Sequence, residues 1–224
     1  MKTFVLCVVA VIFTTTQVSS TNAQSLAKRH QVGLKLGIWN QVTDVRTEIQ
    51  RGFATTSVKS SGGMGGLFYG HWFSENQALI VSVGSMVANI ETVVNMAGTT
   101  SETAVVAPVL IGMKYYFLQS SLDSPVRPQA TASVGTFIGS QTRQQVGSTI
   151  VSDTRAEMVF GGQLGLGADF LLSRRFMLGT AIAYNVMQDF EEPIGGSRNY
   201  GGPEFSLSFS YLFGKIRHQP ATEE

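Results

Sequence analysis

The sequence predicts an all-β fold, an eight-stranded antiparallel transmembrane β-barrel, on three observations. Large apolar side chains alternate with small polar ones in the last strand, from Phe205 to Phe213. Successive side chains of a strand point to opposite faces, so one face of this strand is entirely apolar. The same period recurs in eight segments, and these segments follow a secretory leader. This combination is typical of a barrel that crosses a membrane with strands.

Three regions are expected along the chain: a signal peptide over residues 1–24, a barrel over 25–215 and a short polar tail over 216–224. The apolar run of the leader is too short for a spanning helix, which needs about 20 residues. Removal of the leader takes away the only cysteine, Cys7, and one of the 16 basic residues, leaving 15 basic against 15 acidic. The mature chain therefore has no thiol chemistry, and its balanced charge predicts no nucleic-acid partner.

The first four strands are predicted over residues 31–40, 62–73, 77–92 and 104–117. Strands 1, 3 and 4 each place apolar side chains at every second position, whereas the glycines of strand 2 leave its faces unassigned. The outward rows are Val32, Leu34, Leu36 and Ile38; Leu79, Val81 and Val83; and the odd positions from Val105 to Phe117.

The last four strands are predicted over residues 127–140, 156–172, 175–186 and 200–214. Strand 6 points Phe160, Leu164, Leu166, Ala168 and Phe170 outward, whereas strand 7 is too rich in glycine and alanine to assign. No charged residue falls on any assigned outward row. Since a charge at mid-membrane costs about 2–4 kcal/mol, this pattern favours a lipid-facing surface.

The connections alternate in length. The longer links cover residues 41–61, 93–103, 141–155 and 187–199, and the shorter ones cover 74–76, 118–126 and 173–174. Outer-membrane barrels have short periplasmic turns and longer outer loops, so both termini are expected in the periplasm.

Aromatic residues gather at the ends of the even strands, where the periplasmic interface is expected. Trp and Tyr prefer such an interface because each ring has an apolar body and a polar edge. The predicted periplasmic girdle consists of Trp72, Phe73, Tyr115, Phe117, Phe170, Tyr211 and Phe213.

Residues 108–117, residues 160–170 and the aromatic last strand resemble the small outer-membrane β-barrel proteins of Gram-negative bacteria, the outer-membrane protein β-barrel domain family. The resemblance covers nearly all of the mature chain. It implies an integral outer-membrane protein of this fold and leaves the function open. Such barrels commonly stop at the terminal aromatic residue, whereas this chain continues over residues 214–224.

No catalytic, cofactor-binding or metal-binding residue is predicted. The histidines are His30, His71 and His218. None of them lies at the outward-facing end, where enzymatic barrels of this membrane place their catalytic residues, and no pair has the sequence spacing of a metal site.

Two further motifs favour structural interpretations. The glycine-rich run over residues 161–167 lacks the spacing of a dinucleotide fingerprint and is expected to be barrel interior. Asp189, Glu191 and Glu192 are expected to form a solvated loop in preference to a weak Ca²⁺ site.

Three ionic side chains are expected inside the barrel. Lys35, Lys114 and Asp169 all have inward parity in the periplasmic half of their strands. Because a buried charge needs a partner, the two lysines are expected to straddle the acid in a structural cluster that plugs the lumen.

The leading function is therefore a structural or surface-interaction role through the extracellular loops of an outer-membrane barrel. The expected partners are outer-membrane lipid and the barrel-insertion machinery, after export through the inner membrane. Two alternatives stay open: a narrow channel for small or amphipathic solutes, and a soluble periplasmic barrel that binds a ligand inside.

Overall fold

The structure, a computed structural model, describes residues 26–40, 61–74, 76–95, 98–117, 126–146 and 150–214. The predicted signal peptide, residues 41–60 of the first long link and the polar tail lie outside these ranges. In the part of the chain that is described, no helix is long and apolar enough to cross a membrane.

Eight antiparallel strands close into one barrel, which confirms the predicted fold class. The strands are β1 His30–Asn40, β2 Ser61–Trp72, β3 Gln77–Asn95, β4 Gly98–Tyr116, β5 Val126–Val146, β6 Ile150–Leu171, β7 Phe176–Met187 and β8 Gly202–Phe213. Each strand pairs with its neighbours in chain order, and β1 closes the sheet against β8. The end of the barrel at which β1 begins and β8 ends is called the turn end here, and the opposite end is called the loop end.

The hairpins β3–β4 and β5–β6 are longer than the sequence predicts. Links are expected over residues 93–103 and 141–155, but pairing continues to Asn95 with Gly98 and to Val146 with Ile150. These segments are polar yet rich in Thr, Val and Ile, whose branched side chains favour extended backbone. β3 to β6 therefore have 19 to 22 residues, whereas the other four strands have 11 or 12.

The outer face is apolar on all eight strands. The predicted outward rows point outward, and the structure also assigns β2, through Leu67 and Tyr69, and β7, through Ile182 and Tyr184. Leu164 keeps 65% of its surface exposed. Among the described side chains, no Asp, Glu, Lys or Arg stands on these outward rows. The inward rows fill the lumen with two apolar clusters that lie on either side of a polar layer.

Candidate functional site

The polar layer crosses the middle of the lumen and surrounds a cavity of about 80 Å³. That volume holds only a few water molecules. Because side chains alternate along each strand, the polar groups of this layer are the inward neighbours of the apolar outer rows. The ionic and amide side chains that line the cavity are Lys35, Lys114, Gln129, Gln163, Asp169 and Glu204.

Asp169 is the centre of one half of the polar layer. Its carboxylate is 1% exposed and accepts hydrogen bonds from Lys114 Nζ at 3.0 Å and from the Tyr116 hydroxyl at 2.5 Å. Gly179, on the adjacent strand β7, makes the room for this arrangement, because a Cβ there would lie 2.5 Å from Asp169 Oδ1. The structure therefore brings Lys114 and Asp169 together in a buried, hydrogen-bonded ion pair.

Lys35 lines the same cavity but pairs with Glu204, 3.0 Å away, and not with Asp169. Glu204 is also buried, and its other oxygen accepts hydrogen bonds from Gln163 at 2.7 Å and Asn185 at 3.2 Å. Sequence reasoning missed Glu204, although its parity matches that of the inward residue Ser206. Two lysines and two carboxylates thus balance in one layer, so the lumen carries no unmatched ionic group among these four.

The turn end of the lumen is closed by an apolar cluster. Its buried members are Leu26, Trp72, Ala78, Tyr116, Met177 and Leu212. Leu26 reaches it because the residues before β1 fold back in a tight turn, with Lys28 at a φ of 64° and its N–H donating to the Trp72 carbonyl at 2.7 Å. Arg29 then donates to the carbonyl of Arg174 at 2.7 Å. Burial, together with nearby Arg127 and Arg175, lowers the pKa of Arg29 from its ordinary value.

Trp72 corrects the predicted girdle. It is 0% exposed and stacks on Tyr116 with ring centroids 4.5 Å apart, so it belongs to the lumen cluster and not to the outer surface. The reason is parity: Trp72 lies two residues from Gly70 and four from Phe68, which both face inward. The other predicted girdle residues stand at the outer face of the turn end, fully or partly exposed: Phe73, Tyr115, Phe117, Phe170, Tyr211 and Phe213.

The loop end of the lumen is closed by a second apolar cluster. Strand residues such as Trp39 and Phe137, which make an edge-to-face contact at 5.9 Å, form its base. The last loop, residues 188–201, adds Phe190, Ile194 and Tyr200, all buried. Gly139 admits this loop, because a Cβ at that position would lie 2.8 Å from the ring of Phe190. The last loop is therefore a cap that is packed into the mouth of the barrel.

The acidic residues Asp189 and Glu192 of this cap bind different partners and do not share a site. Asp189 accepts a hydrogen bond from Asn199 at 2.6 Å, and Glu192 forms an ion pair with Arg155 on β6. Within the described ranges, no three His, Cys, Asp or Glu residues come together as a group that could hold a metal ion. The arrangement is that of a loop attached to the wall of the barrel, whereas its acidic residues predict a solvated loop.

The histidines are brought together by strand pairing, which the sequence spacing did not reveal. His30 and His71 are direct partners in the β1–β2 ladder, at the outer face of the turn end. Their ring centroids are 4.6 Å apart and their Nδ1 atoms 3.3 Å apart. His218 lies outside the described residues.

Comparisons with known proteins establish the fold. No protein-family model matches the sequence, and no curated protein matches it. The outer membrane protein OprG from Pseudomonas aeruginosa superimposes with a TM-score of 0.53 at 12% identity, over 87% of this chain and 100% of OprG. A major outer membrane protein from Thermus thermophilus gives 0.50 at 11% identity, over 82% of this chain and 99% of the other. At such low identity, the likeness extends to the barrel and assigns no residue a role.

Proposed function

We propose that this chain is an integral outer-membrane β-barrel with a structural or surface-interaction role, carried by the segments at its loop end. The observation that carries the proposal is the contrast between an apolar outer face and a lumen that apolar clusters close at both ends. A role in catalysis is not proposed, because the four ionic groups that line the lumen cavity are engaged in two structural ion pairs, Lys35 with Glu204 and Lys114 with Asp169.

The outer face supports a membrane location. Side chains as exposed as Leu36 (66%) and Leu164 (65%) recur around the whole circumference. A soluble monomer rarely exposes a contiguous apolar patch larger than a few hundred Å². Contact with lipid removes the free-energy cost of exposing this apolar surface to water. Outer-membrane lipid is therefore the first partner that we propose.

The orientation follows from the two ends. The short turns, the start of β1 and the end of β8 all lie at the turn end, and aromatic side chains surround that end on the outside. Such an end is expected in the periplasm, with the long hairpins and the cap at the cell surface. Export by the signal peptide and insertion by the barrel-insertion machinery belong to the same proposal.

The lumen argues against the channel alternative. A solute on the axis would meet the apolar cluster of Trp39, Phe137 and Phe190 at the loop end and that of Trp72 and Tyr116 at the turn end. The polar cavity between them has a volume of about 80 Å³, which holds only a few water molecules. Side chains filling the interior are the usual state of an eight-stranded barrel.

The outer face also argues against a soluble ligand-binding barrel. Such a protein would keep its apolar rows inside, around a ligand cavity, and would place charged residues outside. In this chain the arrangement is the reverse in the described strands, where ionic side chains such as Lys114 and Asp169 are inside and rows such as Leu34, Leu36 and Ile38 are outside.

The proposal is tested by measuring where the protein is located in the cell and whether the purified barrel conducts ions. We expect the full-length protein, when expressed in a Gram-negative host, to fractionate with the outer membrane and to change its gel mobility on heating. In planar bilayers the purified barrel should give no sustained ion current, and Asp169→Ala should lower its thermal stability without opening a path. Soluble recovery of the folded protein would contradict the membrane location. Discrete current steps that depend on Asp169 would support the channel instead.

A further inference from the structure

The outer face of the turn end carries a pair of imidazoles that neither the fold nor the proposed function explains. His30 and His71 stand opposite each other in the β1–β2 ladder, and both rings are half-buried. Their Nδ1 atoms face each other at 3.3 Å. Neutral imidazole nitrogens are among the preferred ligands of zinc, so the question is whether this geometry fits the ion.

The neighbours of the pair hold its geometry. The ring of Phe213 stacks on His30 at a centroid distance of 5.3 Å and an angle of 18°. The Tyr69 hydroxyl lies 2.6 Å from His30 Nδ1 and adds an oxygen donor on the same side. Because the two backbones are fixed by a ladder that runs the whole length of β1, the rings need little ordering before a ligand binds.

The separation of the two nitrogens distinguishes between metal geometries. Two nitrogens at about 2.0–2.1 Å from a tetrahedral zinc ion are about 3.3–3.4 Å apart. Two adjacent nitrogens in a square-planar copper site would be only about 2.8–2.9 Å apart. The observed 3.3 Å matches the tetrahedral separation of the two nitrogens. The rings, with centroids 4.6 Å apart, and the Tyr69 hydroxyl, 2.6 Å from His30 Nδ1, must shift outward for all three donors to share one ion.

We propose that His30 and His71 form a Zn²⁺ site through their Nδ1 atoms on the outer surface of the turn end, with the Tyr69 hydroxyl as a third donor. In the metal-free protein the same nitrogens take part in hydrogen bonds with each other and with Tyr69. Zinc binding requires both imidazoles to carry their protons on Nε2, so the ring that donates the hydrogen bond between the two Nδ1 atoms changes tautomer without losing a proton. Coordination by Tyr69 as phenolate would release one proton to solvent. Water fills the remaining position.

The site is independent of the proposed function, because it needs only the β1–β2 pairing. The test therefore uses the complete mature barrel, folded in detergent and purified without a polyhistidine tag. Zn²⁺ is titrated by calorimetry, and Co²⁺ is used as a spectroscopic probe because its tetrahedral complexes absorb strongly in the visible. We expect one saturable Zn²⁺ per chain, a tetrahedral Co²⁺ spectrum, and weaker binding at lower pH, since protons compete for the ligands.

Matched variants make the test specific. His71→Phe and, separately, His30→Gln should each weaken Zn²⁺ binding by at least about tenfold, and Tyr69→Phe should weaken it by less. His218→Ala should leave the binding unchanged, and heat-modifiable gel mobility confirms that each variant is folded. The proposal is overturned if the parent barrel shows no saturable Zn²⁺ binding, if His218→Ala abolishes it, or if both His30→Gln and His71→Phe leave it intact.

Discussion

The outer face and the lumen are built from the same strands, one residue apart, yet they follow different rules. On the outer face, side chains such as Leu36 and Leu164 need only be apolar, because each is largely exposed and has no fixed partner across the barrel. In the lumen, Asp169 has a defined partner on another strand and a glycine that leaves it room. The outer face therefore tolerates exchange within a class of residue, whereas the lumen depends on particular pairs.

The largest difference between the two faces is expected at the adjacent residues Trp72 and Phe73. Trp72→Ala should lower the free energy of unfolding by about 3–5 kcal/mol, because it leaves a cavity beside Tyr116. Phe73→Ala should have a much smaller effect, since that ring is 45% exposed. Urea unfolding in detergent measures the free energy of unfolding of both variants. Circular dichroism is the signal of choice, because Trp72→Ala removes one of only two tryptophans and weakens the fluorescence signal. Equal losses at the two positions would show that the faces are not distinct.

The polar layer should respond nearly as strongly to the loss of one partner. Asp169→Ala leaves the Lys114 ammonium buried without its counterion, at an expected cost of about 3–5 kcal/mol. The double variant Asp169→Ala with Lys114→Met should recover much of that loss, because no uncompensated charge remains. The same unfolding experiment measures both variants. A double variant as unstable as the single one would mean that packing, and not charge, sets the cost.

Charge on the outer face should matter according to depth, if the barrel lies in a membrane. Leu166→Arg places a cation within the apolar outward row of β6, which runs from Met158 to Phe170, where lipid contact would cost about 2–4 kcal/mol. Thr154→Arg has the same strand and parity but lies about 40 Å away along the strand, toward the loop end. The folded fraction in lipid vesicles, read from heat-modifiable mobility, should fall for Leu166→Arg and stay near the parent value for Thr154→Arg. Equal folding of both variants would remove the argument for lipid contact.

The smallest effect is expected at the cap. Arg155→Ala breaks an ion pair with Glu192 in which both side chains are about half exposed, so the loss should be about 0–1 kcal/mol. Phe190→Ala removes a buried ring from the mouth of the barrel and should expose residues 188–201 to limited proteolysis. If Arg155→Ala released the cap as readily as Phe190→Ala, the exposed pair would be its main fastening.

The sequence predicts the outer face well because a period of two is a local property. Rows such as Val32 to Ile38 follow from alternation alone. The lumen is harder, because partners come from distant strands whose stagger the sequence does not reveal. For this reason the sequence predicts that Lys35 shares Asp169 with Lys114, whereas in the structure Lys35 lines the same cavity but pairs with Glu204. The same limit hid the meeting of His30 with His71, which depends on the register of β1 against β2.

Two further differences have a local cause. The clustering of aromatic residues at strand ends predicts Trp72 on the outer girdle, whereas its parity with the inward residue Phe68 predicts the observed inward position. Asp189, Glu191 and Glu192 predict a solvated loop, and the composition of the loop gives no sign that Phe190 and Ile194 turn into the lumen. Loop paths depend on the cavity that receives them, and that cavity exists only once the barrel has closed.

The ladder between β1 and β8 has a consequence for folding kinetics. Its ten residue pairs join the first strand of the barrel to the last, so among the strand pairs of the described residues they have the greatest sequence separation. Folds dominated by such contacts form slowly, since distant segments must meet before pairing is rewarded. Until then, both edge strands offer unpaired backbone groups to any other chain nearby. Packing determines the stability of the closed barrel. The time before β1 pairs with β8 determines how long each new chain is exposed to aggregation.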